Sequence, residues 1–293
     1  MITAQTRLLG VIGYPIEHSL SPLFQNAALS YLGLPFVYLA FDILPSNLER
    51  ALEAMRIFSI RGFNVTIPYK EKVIPFLDAL EGEARVIEAV NTIVNEKGKL
   101  IGYNTDGVGL YRSLERKEVN VEGKKALLLG AGGAAKAAVW ALWKRGVKSI
   151  FVINRTRERG EDLANWARAE FFLEVEVVEW GKMKEQDSLP LWQEAGVIVN
   201  ATSLGLKGEE ISLPWEKLSP SVWIVDVVYR RGLTPLVREA KKRGIQSFDG
   251  KEMLLQQGAE RFFFFIGGKR PPKVWFLLLF LGAGEQNGVV IWG

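Results

Sequence analysis

Cysteine is absent from this 293-residue sequence, and histidine occurs only once, as His18. Without cysteine the chain can form no disulfide, no thiolate-ligated zinc site and no cysteine nucleophile. A single histidine excludes every metal site that needs two imidazoles, so we expect no bound metal. Proton transfer by a side chain must therefore use Lys, Asp, Glu, Tyr or His18.

Long apolar runs and net charge are also scarce. The most apolar stretch, residues 274–283, is far shorter than the roughly 20 residues that span a bilayer, and we interpret it as a buried terminal segment. Residues 1–10 lack the basic and apolar regions of a secretory signal. The net charge, 37 − 33 = +4, is spread along the chain, which argues against a nucleic-acid partner. We expect a cytoplasmic protein that binds neither membranes nor nucleic acid.

Hydrophobic residues make up 48% of the chain, enough for a full core. In the first hundred residues, strand-like and helix-like patterns alternate. We predict strands at 8–12, 36–41 and 62–67 and a hairpin across 89–102. We predict helices at Ser21-Pro22, at a capping box Ser46-Asn47-Leu48-Glu49, and at Pro68.

A second and more regular series begins near Gly123. Continuous apolar strands are predicted at 126–129, 150–153, 175–178, 197–199 and 222–227, with helical patterns between most of them. Such strands are buried on both faces, which is typical of a parallel sheet covered by helices. We therefore predict an α/β fold of two domains, with the boundary between Gly102 and Gly123.

The second series opens with a pattern that is typical of dinucleotide binding. Gly130-Ala131-Gly132-Gly133-Ala134-Ala135 follows the strand 126–129 and starts a helix. Gly130 permits a tight turn, and Gly132 allows a pyrophosphate to approach the helix N-terminus. The alternative is a purely structural glycine turn.

The end of the next strand indicates which dinucleotide binds. An NAD site would carry Asp or Glu there, but this chain has Asn154-Arg155-Thr156-Arg157-Glu158-Arg159. A guanidinium pairs with a 2′-phosphate, whereas a carboxylate repels it, so the sequence favours NADP. The alternative is a solvated helix start.

Candidate groups for proton transfer and substrate binding lie earlier. Lys70 and Asp106 each follow a predicted strand, and such a pair can pass a proton to a reacting hydroxyl. From spacing alone, two surface charges are the simpler interpretation. Ser19 and Ser21 precede a helix N-terminus, which suits a small carboxylate, although Ser21 can equally be a helix cap. His18 can be a base, but a lone loop histidine is more often a structural hydrogen-bonding residue.

Taken in order, these segments resemble the shikimate dehydrogenase family from Leu8 to about Gly268. The matching motifs are Gly13-Tyr14-Pro15-Ile16, His18-Ser19, Ser21-Pro22, Gly62-Phe63-Asn64-Val65-Thr66-Ile67-Pro68-Tyr69-Lys70, Ala89-Val90-Asn91-Thr92, Asn104-Thr105-Asp106-Gly107, the turn at Gly130, Asn154-Arg155-Thr156, Asn200-Ala201-Thr202-Ser203, Asp226-Val227-Val228-Tyr229 and Met253-Leu254-Leu255-Gln256-Gln257.

The resemblance implies a reversible, NADP-linked reduction of 3-dehydroshikimate to shikimate in aromatic amino acid (chorismate) biosynthesis. It implies that Lys70 is the acid/base and that Asp106 is its partner and also binds substrate. The implied carboxylate ligands are Ser19, Ser21 and Tyr229, and the implied ligands of the ring hydroxyls are Thr66, Asn91 and Gln257. The implied cofactor-binding residues are Gly130, Ala131, Gly132, Gly133, Ala134, Asn154, Arg155, Thr156, Arg159, Val227 and Gly250.

The resemblance also implies the domain organisation. A substrate domain, 1–103, is completed by C-terminal helices within 252–293, and a doubly wound, Rossmann-type NADP domain comprises 104–251. The partners are small molecules, and a homodimer is compatible with the sequence. The chain departs from the family at Gln25, where histidine is usual, at Arg230-Arg231-Gly232, where proline is common, and after Pro272. Because Gln25 lies on a predicted helix, we expect it to leave the chemistry unchanged.

Two other functions compete with this interpretation. One is a quinate/shikimate dehydrogenase with relaxed use of NAD and NADP, whose members tend to carry an acidic residue near Thr156 or Arg157. The other is a non-catalytic dinucleotide sensor, which would need neither Lys70 nor Asp106.

Overall fold

A computed structural model of the chain describes residues 2–17, 19, 21–181, 189–230 and 232–267. His18, Arg231 and the apolar stretch 274–283 lie outside the described residues. The chain divides into two compact units. Unit 1 contains the described residues of Met1–Thr105 and of Gln257–Gly293, and unit 2 is Asp106–Gln256.

Unit 1 is built on a mixed sheet of six strands in the order β2-β1-β3-β5-β6-β4. The strands are β1 (Arg7–Gly13), β2 (Phe36–Asp42), β3 (Gly62–Val65), β4 (Ala79–Leu80), β5 (Thr92–Glu96) and β6 (Lys99–Tyr103). β1 runs parallel to both β2 and β3, and β5 is antiparallel to β3 and to β6. The predicted hairpin is thereby confirmed as β5–β6. Helices α1 (Ser21–Tyr31), α2 (Leu48–Ile57) and the short α3 (Ala84–Ile87) connect the strands.

One predicted helix cap and one predicted helix in unit 1 are wrong, although the helix predicted to end near Ile57 is present as α2. The capping box does not form, because a 3-10 turn at Pro45–Asn47 takes up Ser46, and α2 begins at Leu48 without a side-chain cap. No helix begins at Pro68 either; turns lead into a 3-10 turn at Ile74–Phe76. Pro75, inside that turn, lacks an N–H and would break any helix after about two turns.

Unit 2 is built on six parallel strands in the order β12-β11-β10-β7-β8-β9. They are β7 (Lys125–Leu129), β8 (Ser149–Asn154), β9 (Glu174–Glu179), β10 (Ala195–Asn200), β11 (Trp223–Asp226) and β12 (Gln246–Phe248). The chain winds outward from β7 in both directions, which is the doubly wound Rossmann order. The predicted parallel sheet is confirmed, while β12 lacks the apolar run that would have revealed it.

The helices of unit 2 are α4 (Asp106–Arg116), α5 (Gly133–Lys144), α6 (Arg157–Phe171), α7 (Leu189–Glu194) and α8 (Pro235–Lys242). The last described helix, α9 (Gly250–Ile266), starts in unit 2, and from Gln257 onward it belongs to unit 1. Among the described residues, no helix combines the length and hydropathy needed to span a bilayer.

The second half of α9 is held on the sheet of unit 1 by apolar packing and by one arginine. Phe262 and Phe265 are buried, and the ring of Phe264 stacks on Tyr103 at 4.1 Å between centroids. Arg61 donates to the carbonyl oxygens of Phe265 at 2.9 Å and Phe264 at 3.3 Å. Desolvation by burial lowers the pKa of this guanidinium. The return of the chain to the first unit agrees with the predicted fold class.

Candidate active site

Lys70 lies in a turn after β3 whose backbone is fixed on both sides. Preceding it, Tyr69 is fully buried and its hydroxyl donates to the carbonyl of Ile43. The Tyr69 N–H also donates to the carbonyl of Thr66 at 2.9 Å, and the Lys70 carbonyl accepts from the Val90 N–H at 2.7 Å. Burial raises the pKa of the Tyr69 hydroxyl. Tyr69 is therefore an anchor, and Lys70 is half-buried beside it at a defined place.

Thr66 stands where the end of β1 meets this turn. Its N–H donates to the carbonyl of Ile12 at 3.0 Å, and a Cβ at Gly13 would come within 2.6 Å of its methyl group. Only glycine at position 13 therefore allows this close approach. Thr66 is half-buried, as a residue that contacts a ligand would be.

Asn91 is fully buried in a network of hydrogen bonds at the start of β5. Its Oδ1 accepts from the Thr105 N–H at 3.0 Å and from the Thr92 hydroxyl at 2.9 Å, and its Nδ2 donates to Thr105 Oγ1 at 3.1 Å. Asn64 extends the network: it donates to Thr92 Oγ1 at 3.3 Å and accepts from the Tyr38 hydroxyl at 2.6 Å. The network fixes the amide of Asn91 and also the backbone and hydroxyl of Thr105, the residue at which the first segment of unit 1 ends.

Gln257 joins the same network through a residue that the sequence did not single out. Arg261, one turn along α9, donates from Nε to Thr105 Oγ1 at 3.2 Å and from Nη2 to Gln257 Oε1. Both side chains are buried, and the three residues all lie in unit 1. A four-residue spacing on a helix could have suggested the contact between Gln257 and Arg261, but no sequence signal relates either residue to Thr105.

Ser19 and Ser21 flank the start of α1. The Ser21 N–H donates to Ser19 Oγ at 3.3 Å, so the hydroxyl that caps this N–H is that of Ser19. One turn along the helix, Gln25 is almost fully buried, and neither of its amide atoms has a hydrogen-bond partner among the residues that the structure describes. The helix position of Gln25 agrees with the prediction. His18, which directly precedes Ser19 in the motif, lies outside the described residues.

In unit 2, the glycine turn lies where the strand order reverses. Gly130 has φ +103°, and its N–H donates to the carbonyl of Ile153 at 2.9 Å. Gly132 occupies the N-cap position of α5 with extended backbone, and a Cβ built there would meet no atom within 4 Å. Ala131, Gly133 and Ala134 complete the turn. The open space at Gly132 and the N-terminal, positive end of the dipole of the 12-residue helix α5 together fit a pyrophosphate.

Residues at the end of β8 provide positive charge without a competing carboxylate on the strand. Asn154 Nδ2 donates to the Thr156 carbonyl at 2.7 Å, which shapes the corner. Arg157 is engaged by Glu179 at 3.4 Å and Glu161 at 3.6 Å. Arg155 and Arg159 are exposed, and within the described part of the chain neither forms an ion pair. Their guanidinium groups suit a 2′-phosphate.

The loop after β11 carries Val227 and Tyr229, both half-buried, and is organised by Asp226. Asp226 Oδ1 accepts from Asn200 Nδ2 at 2.8 Å and from the Val228 N–H at 3.1 Å. Burial raises the pKa of Asp226 to about 6, against the lowering effect of hydrogen bonds from Thr234, Val228 and Asn200. Gly250 starts α9 against this loop, and a Cβ there would lie 2.2 Å from the Val227 carbonyl oxygen.

Asp106 is the first residue of α4 and is buried. The chain passes from unit 1 to unit 2 at this point, immediately after Thr105. The predicted substrate residues of unit 1 are thus Ser19, Ser21, Thr66, Lys70, Asn91 and Gln257, and Asp106 and Tyr229 belong to unit 2.

Comparison with known proteins identifies the family. Residues 11–93 match the family described as "Shikimate dehydrogenase substrate binding domain", and residues 113–205 match "Shikimate / quinate 5-dehydrogenase". The chain is 43% identical over 280 residues to the shikimate dehydrogenase (NADP(+)) of Aquifex aeolicus, covering 94% of this chain and 96% of that protein.

Solved structures give the same result. The shikimate 5-dehydrogenase of Thermus thermophilus, in complex with NADP(H) and shikimate, superposes with a TM-score of 0.79 at 36% identity, covering 92% of this chain and 97% of that one. The quinate dehydrogenase of Corynebacterium glutamicum, in complex with NAD, superposes with a TM-score of 0.82 at 29% identity, covering 93% and 99%. The chain belongs to the shikimate dehydrogenase family.

Proposed function

We propose that this protein is an NADP-dependent shikimate dehydrogenase, which reversibly reduces 3-dehydroshikimate to shikimate in aromatic amino acid biosynthesis. The observation that carries the proposal is the 43% identity to a shikimate dehydrogenase (NADP(+)) across 94% of the chain. The reaction draws on NADPH and small-molecule substrates. We also propose that the protein works in the cytoplasm and that it forms a homodimer.

NADP is the cofactor, and the residues of unit 2 fit it. The open backbone at Gly132 and the N-terminus of α5 would hold the pyrophosphate. Asn154, Arg155, Thr156 and Arg159 would hold the adenosine end with its 2′-phosphate, and Val227 and Gly250 would contact the rest of the cofactor. When bound, NADP supplies the hydride acceptor for shikimate oxidation. The protein itself binds and orients the reactants and moves a proton.

We assign substrate binding to side chains whose surroundings fix them. The hydroxyls of Ser19, Ser21 and Tyr229 would bind the carboxylate. Thr66, Asn91 and Gln257 would bind the ring hydroxyls, and the amides of Asn91 and Gln257 are both buried and held by hydrogen bonds. Fixed donors of this kind reduce the entropy that binding would otherwise cost.

We assign the proton transfer to Lys70, with Asp106 as its partner. When shikimate is oxidised, the hydroxyl on the reacting carbon gives up its proton, and Lys70 Nζ would accept it. The support is the matching motif, together with the turn that fixes the backbone of Lys70 on both sides. The chain has no cysteine that could take this role, and a lone loop histidine such as His18 is more often a structural hydrogen-bonding residue.

Quinate dehydrogenase is the second candidate function, since the Corynebacterium glutamicum enzyme superposes with a TM-score of 0.82. That structure is in complex with NAD. Here the residue directly after β8 is Arg155 and not Asp or Glu, which favours NADP and therefore the first candidate.

One assay tests the proposal. Reduction of NADP+ and of NAD+ is followed by absorbance with shikimate and with quinate as the reductant, in all four combinations. We expect kcat/KM to be greatest for shikimate with NADP+. A higher kcat/KM for quinate with NAD+ than for shikimate with NADP+ would favour the second candidate. If neither substrate is turned over with either cofactor, the protein would instead be the non-catalytic dinucleotide sensor.

A further inference from the structure

Arg261 connects two of the side chains to which substrate binding is assigned. It is a buried arginine on α9, with 8% of its surface exposed. Its Nη2 donates to Gln257 Oε1, and its Nε donates to Thr105 Oγ1 at 3.2 Å. One guanidinium thus bridges the returning helix and the segment that ends at Thr105.

The bridge determines which way the Gln257 amide faces. A guanidinium carries only donors, so the atom that Gln257 presents to Arg261 must be its carbonyl oxygen. The Nε2 amide nitrogen, with two N–H donors, is then directed away from Arg261. Gln257 therefore offers donors, and not an acceptor, to whatever it binds.

The same reasoning applies to Asn91 on the other side of Thr105. Asn91 Oδ1 already accepts from the Thr105 N–H and the Thr92 hydroxyl, at 3.0 and 2.9 Å. One N–H of its Nδ2 is used by Thr105 Oγ1, at 3.1 Å, and that same oxygen accepts from Arg261. The second Nδ2 hydrogen is the one that Asn91 can offer to a ligand.

We propose that Arg261 is a positioning residue, which sets the amides of Gln257 and Asn91 as donors towards the ring hydroxyl oxygens of the substrate. It acts through Gln257 and Thr105 and touches no reacting atom. The inference rests on the proposed function, because the substrate role of both amides belongs to that proposal. It predicts that Arg261 matters for substrate affinity more than for the chemical step.

The competing explanation is that Arg261 only holds α9 in place. Arg61 provides a matched control for that role, since its hydrogen bonds within the described residues go to the backbone carbonyls of Phe265, Phe264 and Asn95 and to none of the assigned substrate residues. Loss of Arg61 should weaken the attachment of α9 without altering the orientation of either amide.

The experiment compares Arg261→Met, Arg261→Lys and Arg61→Met by steady-state kinetics and thermal denaturation. Arg261→Met should raise the KM for shikimate about ten- to hundredfold, the usual effect of losing a charged hydrogen bond, while the KM for NADP+ stays within about twofold. Arg261→Lys, which keeps a charged donor, should recover part of the loss. Arg61→Met should lower Tm with little change in the KM for shikimate.

A second variant remains informative if Arg261→Met does not fold. Gln257→Glu keeps the shape and the oxygen that faces Arg261 but removes both N–H donors. We expect Tm to be retained, because the guanidinium then pairs with a carboxylate, while the KM for shikimate rises. A fall in Tm together with an unchanged KM would overturn the inference.

The outcomes separate this inference from the proposed function. A wild-type enzyme that does not oxidise shikimate would overturn the proposed function. If the wild-type enzyme oxidises shikimate and the Arg261→Met variant folds with a normal KM for shikimate, only the positioning role is overturned. If Arg261 acts through Gln257, the double variant Arg261→Met/Gln257→Ala should lose less than the product of the two single losses.

Discussion

At the residue scale, burial changes what single polar groups do. Asp226 is buried, and its pKa is raised to about 6, so its carboxylate is costly to hold charged at neutral pH. Asp78 is the opposite case, since the Leu100 N–H and then Arg56 lower its pKa. The two aspartates therefore affect stability with opposite dependence on pH.

Replacing Asp226 by Asn should reveal this cost. The folded pKa of about 6 lies above the unfolded value near 3.9, so the folded state holds the proton more tightly and stability falls as pH rises from about 4 to about 6. Asn cannot titrate, so the free energy of unfolding of Asp226→Asn should rise relative to wild type over that range, by up to about 3 kcal/mol. Urea denaturation at several pH values measures the difference.

Asp78→Asn is the control, with the opposite sign. The stabilisation from Asp78 is present above its unfolded pKa and is lost as pH falls through its lowered folded pKa. This variant should therefore be less stable than wild type at neutral pH and approach it in acid. Parallel stability curves for wild type and Asp226→Asn would contradict the prediction for Asp226.

The proton-transfer pair gives a kinetic prediction at the same scale. Lys70→Ala should lower kcat about 10²–10⁴-fold, the usual contribution of a positioned acid/base, with a smaller effect on the KM for NADP+. If Lys70 and Asp106 act together, Asp106→Ala and the double variant should show similar losses. Lys72→Ala removes an exposed lysine two residues away and should leave kcat unchanged. Losses that multiply in the double variant would show that the two residues act independently.

At the element scale, the strands with continuous apolar runs were predictable because burial on both faces leaves a clear pattern. The parallel strands β7, β8, β10 and β11 are examples, whereas the hairpin β5–β6 was predicted from the residues of its turn, Asn95-Glu96-Lys97-Gly98. The turn after β3 was not predictable, because proline is common both at the start of a helix and in turns. The burial of the Tyr69 side chain in the core selects the turn. Similarly, the capping-box pattern at Ser46 was overridden by the 3-10 turn at Pro45–Asn47.

The glycine turn between β7 and α5 provides a prediction for an element. At Gly130 the backbone has φ +103°, and a Cβ would lie 3.0 Å from the Thr202 methyl group and 3.1 Å from the Ala201 carbonyl oxygen. Gly130→Ala should therefore lower stability by about 1–2 kcal/mol. At Gly132 a Cβ meets nothing, so Gly132→Ala should keep Tm but weaken NADP+ binding by on the order of tenfold or more.

Thermal denaturation and titration with NADPH fluorescence distinguish the two effects. Unchanged NADP+ affinity in Gly132→Ala would mean that the pyrophosphate does not approach the backbone at that glycine. The glycine sequence would then form a purely structural turn, which is the alternative that the sequence left open.

At the scale of the whole molecule, the family, the two-part α/β fold and the NADP cofactor could be predicted because the family's motifs occur in order along the chain. The roles of the individual site residues remain predictions. The link from Asn91 through Thr105 to Arg261 could not be predicted, because it joins positions 156 residues apart in the chain, a contact that tertiary folding alone creates. Arg261 itself carries no motif.

Cofactor binding should stabilise the whole protein, and this tests the choice of NADP. A ligand at 100 times its Kd stabilises the folded state by about 2.7 kcal/mol, so NADP+ should raise Tm by several degrees, and more than NAD+ at equal concentration. In Arg155→Asp a carboxylate would face the 2′-phosphate. A ten- to hundredfold loss of affinity would leave about 0.4–1.4 kcal/mol of that stabilisation at the same concentration.

Arg157→Asp makes the same change of charge two residues away, at a guanidinium already engaged by Glu161 and Glu179. If the 2′-phosphate is paired directly by Arg155, Arg157→Asp should retain most of the NADP+ shift, while Arg155→Asp should respond to NADP+ no more than to NAD+. Equal losses in the two variants would instead indicate that the general positive potential at the end of β8, and not a direct pair, selects the cofactor.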